Sequence, residues 1–215
     1  SPYSLRYPSG TVANYWDWYE GWFLPNSKLP DGYVLPTKFE NYPAKDCKLE
    51  DHFAIALKKA CSTPILNLNL LTSDKYYQAA MLYRARANNL SLANVEMGNE
   101  FYHDDKRNVQ KFPTVEDYAD MVEDYRSFII DHFDAGGLAN PVINAAAVGA
   151  VQFESEPGFS RRNTWLNDLT NVTYHDFNAV TLHNYISTGL GTDEMDMGGS
   201  NLHVMFHNAL SNMLD

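Results

Sequence analysis

Val95-Glu96-Met97-Gly98-Asn99-Glu100-Phe101-Tyr102 is the stretch from which the fold is read. An amphipathic helix pattern and a short apolar run, Leu92 to Val95, precede it, and a polar loop and a second long helix follow. The order is therefore helix, loop, strand, with Asn99-Glu100 where the strand ends. In parallel α/β folds that carboxyl end faces the ligand.

Working outward, Pro64 to Leu71 alternates Leu with Asn67 and Asn69, so the two amides share one face of a strand. Glu50–Ala60 carries helical periodicity, as does the segment from Ser73, its expected N-cap, to about Ala87. Ser4 to Tyr7 is a strand candidate. Behind it lies a long segment, Val12 to about Lys48, that holds Tyr15, Trp16, Trp18, Tyr19, Trp22 and Phe23 and is broken by prolines. Downstream, Pro113-Thr114 open a helix with Tyr118, Val122, Tyr125 and Ile129 on one face, ending before Gly136-Gly137. Pro141 to Val148 reads as a strand, Ser160 to Leu169 as a short helix, Phe177 to Tyr185 as a strand and Asn201 to about Met213 as a last helix.

Five strands alternating with five helices predict a parallel sheet. The helix-to-strand turns are short, whereas four of the five strand-to-helix loops are long. That asymmetry is the pattern of a barrel whose working face is built from loops after the strands. An open flavodoxin-like sheet would want a Gly-rich phosphate loop, and none is visible.

The chain has 215 residues, 45% of them hydrophobic and 13% aromatic, enough for one sizeable core. Net charge is −11, and no basic run appears, which argues against nucleic acid or an anionic membrane as partner. No apolar stretch approaches the roughly 18 residues needed to span a bilayer. A helix between Cys47 and Cys61 would hold them too far apart for a disulfide, so both are expected to be unpaired with each other. Asn89-Leu90-Ser91 and Asn171-Val172-Thr173 are glycosylation sequons in helix-to-strand turns, away from the working face. They point to a secreted or lumenal protein. His103-Asp104-Asp105 and Asp193-Glu194-Met195-Asp196 lack calcium-loop spacing, so no metal is expected, and no cofactor is implied.

With these motifs in view, the chain resembles the TIM-barrel glycoside hydrolases that carry an Asn-Glu pair after their fourth strand, the large clan A. Aligned by motifs, Leu5-Arg6-Tyr7 matches that clan's second strand and Thr181 to Tyr185 its sixth. Residues 1–215 would then be a partial (β/α)8 barrel holding about the second to sixth β/α units, with the first, seventh and eighth strands missing. Such an open piece leaves raw sheet edges, so it is expected to need the remainder of its own barrel or another chain as partner.

The resemblance implies that Glu100 is the general acid/base and Asn99 a sugar ligand, with a carbohydrate as substrate and a retaining mechanism. A carboxyl at the barrel mouth, beside a second carboxylate and partly desolvated, is expected to have a raised pKa, as an acid at neutral pH requires. The nucleophile would follow the seventh strand, outside this chain; Glu154 and Glu156 read as solvated loop carboxylates. The resemblance puts Arg6 beside the nucleophile, and an inward Arg must in any case have a carboxylate partner. His183 and Tyr185 share a strand face and match the clan's His-x-Tyr, contacting sugar and nucleophile. Asn69 is a further candidate sugar ligand, and Trp16 with Trp18 the preferred stacking platform. The rival expectations are a non-catalytic sugar-binding or structural glycoprotein that kept the barrel, and an unrelated α/β enzyme with no cleft around Glu100.

Overall fold

The computed structural model describes residues 4–8, 10–40, 47–135, 144–150, 160–172 and 179–183, all within the unit Ser1–His183. Among them a five-stranded parallel sheet forms from β1 (Ser4–Tyr7), β4 (Thr63–Asn67), β5 (Asn94–Glu96), β6 (Asn144–Ala150) and β7 (Ala179–His183), in that spatial order. The small hairpin β2 (Trp16–Asp17) and β3 (Trp22–Phe23) lies in the long segment after β1. Each sheet neighbour is the next of the five in sequence, as repeated β/α units require. The expected final helix, 201–213, lies outside the described residues.

The helices are α1 (Thr37–Glu40), α2 (Ala54–Ala60), α3 (Lys75–Ala87), α4 (Lys106–Lys111), α5 (Val115–Ala135) and α6 (Ser160–Asn171). A single π-helical turn, Leu49–Phe53, leads into α2. α3 is capped by Asp74, whose side chain accepts from Tyr77 N; the expected cap, Ser73, lies one residue too early. α5 starts with a reciprocal cap. Asp117 N donates to Thr114 Oγ1 at 3.2 Å, and Thr114 N donates to Asp117 Oδ2 at 2.9 Å. The buried stripe Tyr118, Val122, Tyr125, Ile129 and Phe133 then follows the helical period. α4 was not expected: the loop 101–112 contains it, capped by Asp105.

Register decides which side chains meet. Leu66 stands opposite Val95, and Asn67 opposite Glu96. Leu66 and Val95 are fully buried on one side of the sheet, so the two polar residues share the other. Beneath the loop that follows β5, Phe101, Tyr102, Phe112, Tyr118 and Trp165 are all buried to within 1%. Burying each of these aromatic side chains contributes on the order of 2–3 kcal/mol, which anchors an otherwise irregular loop. Cys47 and Cys61 are free thiols. No helix among the described residues is long and apolar enough to cross a membrane.

Candidate active site

The loop 97–102 turns sharply off the end of β5. Gly98 has φ +86°, and a Cβ there would lie 2.1 Å from the Phe101 ring, so only glycine fits. Glu100 also takes a left-handed conformation, φ +52°, which costs about 1–2 kcal/mol for a residue with a Cβ. Hydrogen bonds from four elements hold it there. Tyr118 Oη donates to Met97 O at 2.7 Å, Asn14 Nδ2 to Asn99 O at 3.1 Å and Asn108 Nδ2 to Glu100 O at 3.3 Å. Arg161, from α6, donates to Phe101 O, Phe112 O and Pro113 O together. Buried carbonyls need such donors, and here the donors fix the loop's path.

Glu100 is 9% exposed and borders a cavity of about 180 Å³. Tyr102 Oη donates to its Oε1 at 3.1 Å, and His183 Nδ1 lies 3.1 Å from the same oxygen. Its Oε2 has Asn99 Nδ2 at 3.5 Å and His103 Nε2 at 3.6 Å. The facing wall contains Asn14, Tyr15, Arg107 and Asn108. Burial raises the Tyr15 hydroxyl above its ordinary pKa, with Arg107 opposing, so it enters the wall as a neutral group.

Behind Asn99 lies a buried ion pair. Arg6 Nε donates to Glu96 Oε2 in a short contact, and Asn67 Nδ2 donates to that same oxygen at 3.0 Å. A second Arg6 nitrogen donates to Asn99 Oδ1 at 3.0 Å. A guanidinium only donates, so the oxygen of the Asn99 amide must face Arg6 and its NH2 must face Glu100. The sheet register thus fixes the orientation of Asn99 through Glu96 and Arg6. The result is a carboxyl group on a rigid rim, beside an oriented amide and two imidazoles, with open space in front of it. Such a group can give or take a proton on a ligand held in the cavity.

Of the residues singled out in the sequence, Glu100, Asn99, Arg6 and His183 come together. Tyr185, Glu154 and Glu156 lie outside the described residues. Expectations for three residues are corrected. Trp16 and Trp18 are 7% and 6% exposed, and their indole N–H groups donate inward to Tyr7 Oη and Tyr77 O. They anchor the loop after β1 away from Glu100; Trp18 reaches the surface only in the wall of a separate cavity. Asn69 is 2% exposed, and its amide is consumed by Trp16 O and by Thr72, closing a local turn. Glu96 is the residue that the sequence reading missed. Arg6 was expected to need a carboxylate, and the inward alternation shared with Asn67 was the signal that it stands on the neighbouring strand. Asn89 and Asn171 are both exposed. No group of three or more His, Cys, Asp or Glu among the described residues is placed to hold a metal.

The mixed α/β arrangement with its parallel sheet resembles part of the fold of two solved α-L-arabinofuranosidases. A family 51 α-L-arabinofuranosidase from Bifidobacterium longum matches with a TM-score of 0.55 at 18% identity, over 95% of this chain and 40% of that one. An α-L-arabinofuranosidase from Thermotoga maritima, solved as an arabinose complex, matches with a TM-score of 0.51 at 17% identity, over 94% of this chain and 41% of that one. The chain spans about two-fifths of the length of these enzymes. At such identity the likeness is one of fold. No protein-family model matches the sequence, and no curated protein matches it.

Proposed function

We propose that this chain is the acid/base-bearing part of a retaining glycoside hydrolase acting on a polysaccharide or glycoside. The observation that carries the reading is the Glu100 carboxyl, 9% exposed at the end of β5, fixed by Tyr102 and His183 and flanked by Asn99. Glu100 transfers its proton to the glycosidic oxygen as the C–O bond breaks, while a carboxylate supplied from outside this chain bonds the anomeric carbon. Glu100, now a carboxylate, takes a proton from water; that water attacks the anomeric carbon and releases the nucleophile. The Asn99 NH2, turned away from Arg6, donates to a sugar hydroxyl on the same side. Tyr185, two residues beyond His183 in the sequence, contacts the sugar or the nucleophile, as the His-x-Tyr resemblance implies. The exposed Asn89 and Asn171 carry glycans on a protein of the secretory pathway.

The structural neighbours make aryl α-L-arabinofuranosides the first substrates to try, followed by aryl pyranosides. The test compares the intact protein with its Glu100→Gln form across leaving groups. Poor leaving groups need the proton, so their kcat/KM falls by roughly 10²–10⁴-fold, whereas dinitrophenyl glycosides lose far less. Equal rates of the two forms on poor leaving groups refute the assignment. A protein that binds sugar but turns over no glycoside at all would instead be a non-catalytic relative.

A further inference from the structure

We propose a second saccharide-binding site, distinct from the cavity beside Glu100, built from the β2–β3 turn, the helical segment that begins at Leu49 and Arg84 of α3. A cavity of about 190 Å³ lies there, lined by Trp18, Tyr19, Lys48, Glu50, Asp51 and Arg84 among others. It shares no lining residue with the cavity beside Glu100.

The turn is rigid and holds an aromatic ring out. Asp17 Oδ1 accepts from Tyr19 N at 3.0 Å, from Glu20 N at 3.2 Å and from Tyr77 Oη at 2.6 Å. Gly21 N closes the turn on Asp17 O at 2.9 Å, and Cys47 N ties Gly21 O to the next segment at 3.1 Å. Gly21 has φ +68°, and a Cβ there would meet Lys48 N at 2.4 Å, so the close approach of the two backbones depends on glycine. Tyr19 stands on this frame 59% exposed, edge-on to the buried Trp18 ring at 5.8 Å. A tyrosine held in place loses little freedom on binding and offers an apolar face with a polar tip.

The groups around that ring define the ligand. Arg84 Nε and Glu50 Oε1 pair at 2.6 Å with both side chains solvent-accessible, and Asp51 is exposed beside them. Two cations, Lys48 and Arg84, stand against two anions, Glu50 and Asp51. The lining is thus charge-balanced and selects neither an anion nor a cation. An aromatic face next to paired planar donors and acceptors suits a neutral ligand with an apolar C–H face and adjacent hydroxyls, which is a sugar ring. One unit fits the cavity, so the site grips a single residue of a longer chain. The assignment rests on the glycosidase reading for its polymeric ligand, and it gives the aromatic segment after β1 a binding role through Tyr19, backed by Trp18 in the cavity wall.

The test uses the intact protein carrying Glu100→Gln, run by affinity electrophoresis in gels containing soluble arabinoxylan, debranched arabinan or polygalacturonate, with and without Tyr19→Ala or Arg84→Met. Retardation by a neutral polysaccharide is expected, and either added substitution should raise the dissociation constant roughly tenfold. In the otherwise wild-type protein, Tyr19→Ala should leave kcat/KM on a small aryl glycoside unchanged while raising KM for the polymer. Equal retardation of all forms, no retardation by either neutral polymer, or retardation by polygalacturonate alone overturns the site. Failure of the glycosidase reading would show separately, as Glu100→Gln losing no turnover.

Discussion

Replacing Arg6 by Met tests whether the ion pair behind Asn99 organises the site. Glu96 has a side chain 4% exposed, whereas that of Arg6 is 18% exposed. Removing Arg6 leaves a carboxylate with the Asn67 amide as its remaining hydrogen-bond donor in the pair's network, inside a protein interior. Breaking a buried pair in this way costs about 3–5 kcal/mol, because the surviving charge remains uncompensated. For a domain of this size that is a fall in Tm of roughly 6–20 °C. Removing both charges together, with Arg6→Met and Glu96→Leu, costs far less, since no orphaned charge remains. The two single changes and the double change form a cycle whose coupling energy is expected to exceed about 2 kcal/mol. Denaturant unfolding of the intact protein measures it. The double variant loses less stability than Arg6→Met alone, the Asn67 amide then lacking its acceptor, and it frees the Asn99 amide to turn, so its kcat falls while its fold persists. A loss below about 1 kcal/mol for Arg6→Met, or additive single effects, would refute a buried, interdependent pair.

Gly98→Ala forces a Cβ to within 2.1 Å of the Phe101 ring at a φ of +86°. Phe101 is packed against Phe112 and Tyr118 and cannot yield freely, so a loss of roughly 2–5 kcal/mol is expected, with activity falling as Glu100 shifts; an unaltered melting curve would contradict the loop geometry. Burial, and for Tyr77 also its bond to Asp17, raises the hydroxyl pKa of Tyr77 and Tyr125 above the ordinary value. Their contribution to stability is complete below about pH 10 and is lost as pH rises through the folded-state values. Absorbance titration should therefore show these two ionising only with alkaline unfolding, and Tyr77→Phe with Tyr125→Phe should flatten the fall of stability above pH 10; reversible ionisation of all tyrosines near pH 10 in the folded protein would count against this. Glycosidase removal of N-glycans from the secreted protein should lower its mass, and Asn89→Gln and Asn171→Gln should each remove part of that difference; no change in mass would exclude the glycans.

The layout of the sheet was legible because strand and helix periods differ and because loops of unequal length mark the two ends of a β/α unit. Asn99-Glu100 could be placed at a strand end for the same reason. Other features depend on what stands opposite, which a linear pattern does not record. Trp16 and Trp18 have the composition of a sugar platform, yet Tyr7 and Tyr77 accept their N–H groups and draw them into the core. Asn69 looks like a twin of Asn67, but the strand stops at Asn67, and beyond it the amide serves a turn. Glu96 was hidden beside a more conspicuous glutamate. Its partner across the register, Asn67, and the unmet charge of Arg6 identify it only when the strands are laid side by side. The short helix α4 was masked by a polar composition that also suits an open loop.

The most direct measurement is azide rescue of Glu100→Ala in the intact protein on an activated aryl glycoside. With the leaving group needing no proton, the glycosyl-enzyme forms but its hydrolysis lacks a base, and azide, an anion that needs none, enters the vacated space. The account predicts that azide accelerates turnover and yields a glycosyl azide with the anomeric configuration of the substrate. No acceleration and no such product, with hydrolysis as fast as in the unaltered protein, would contradict the role given to Glu100.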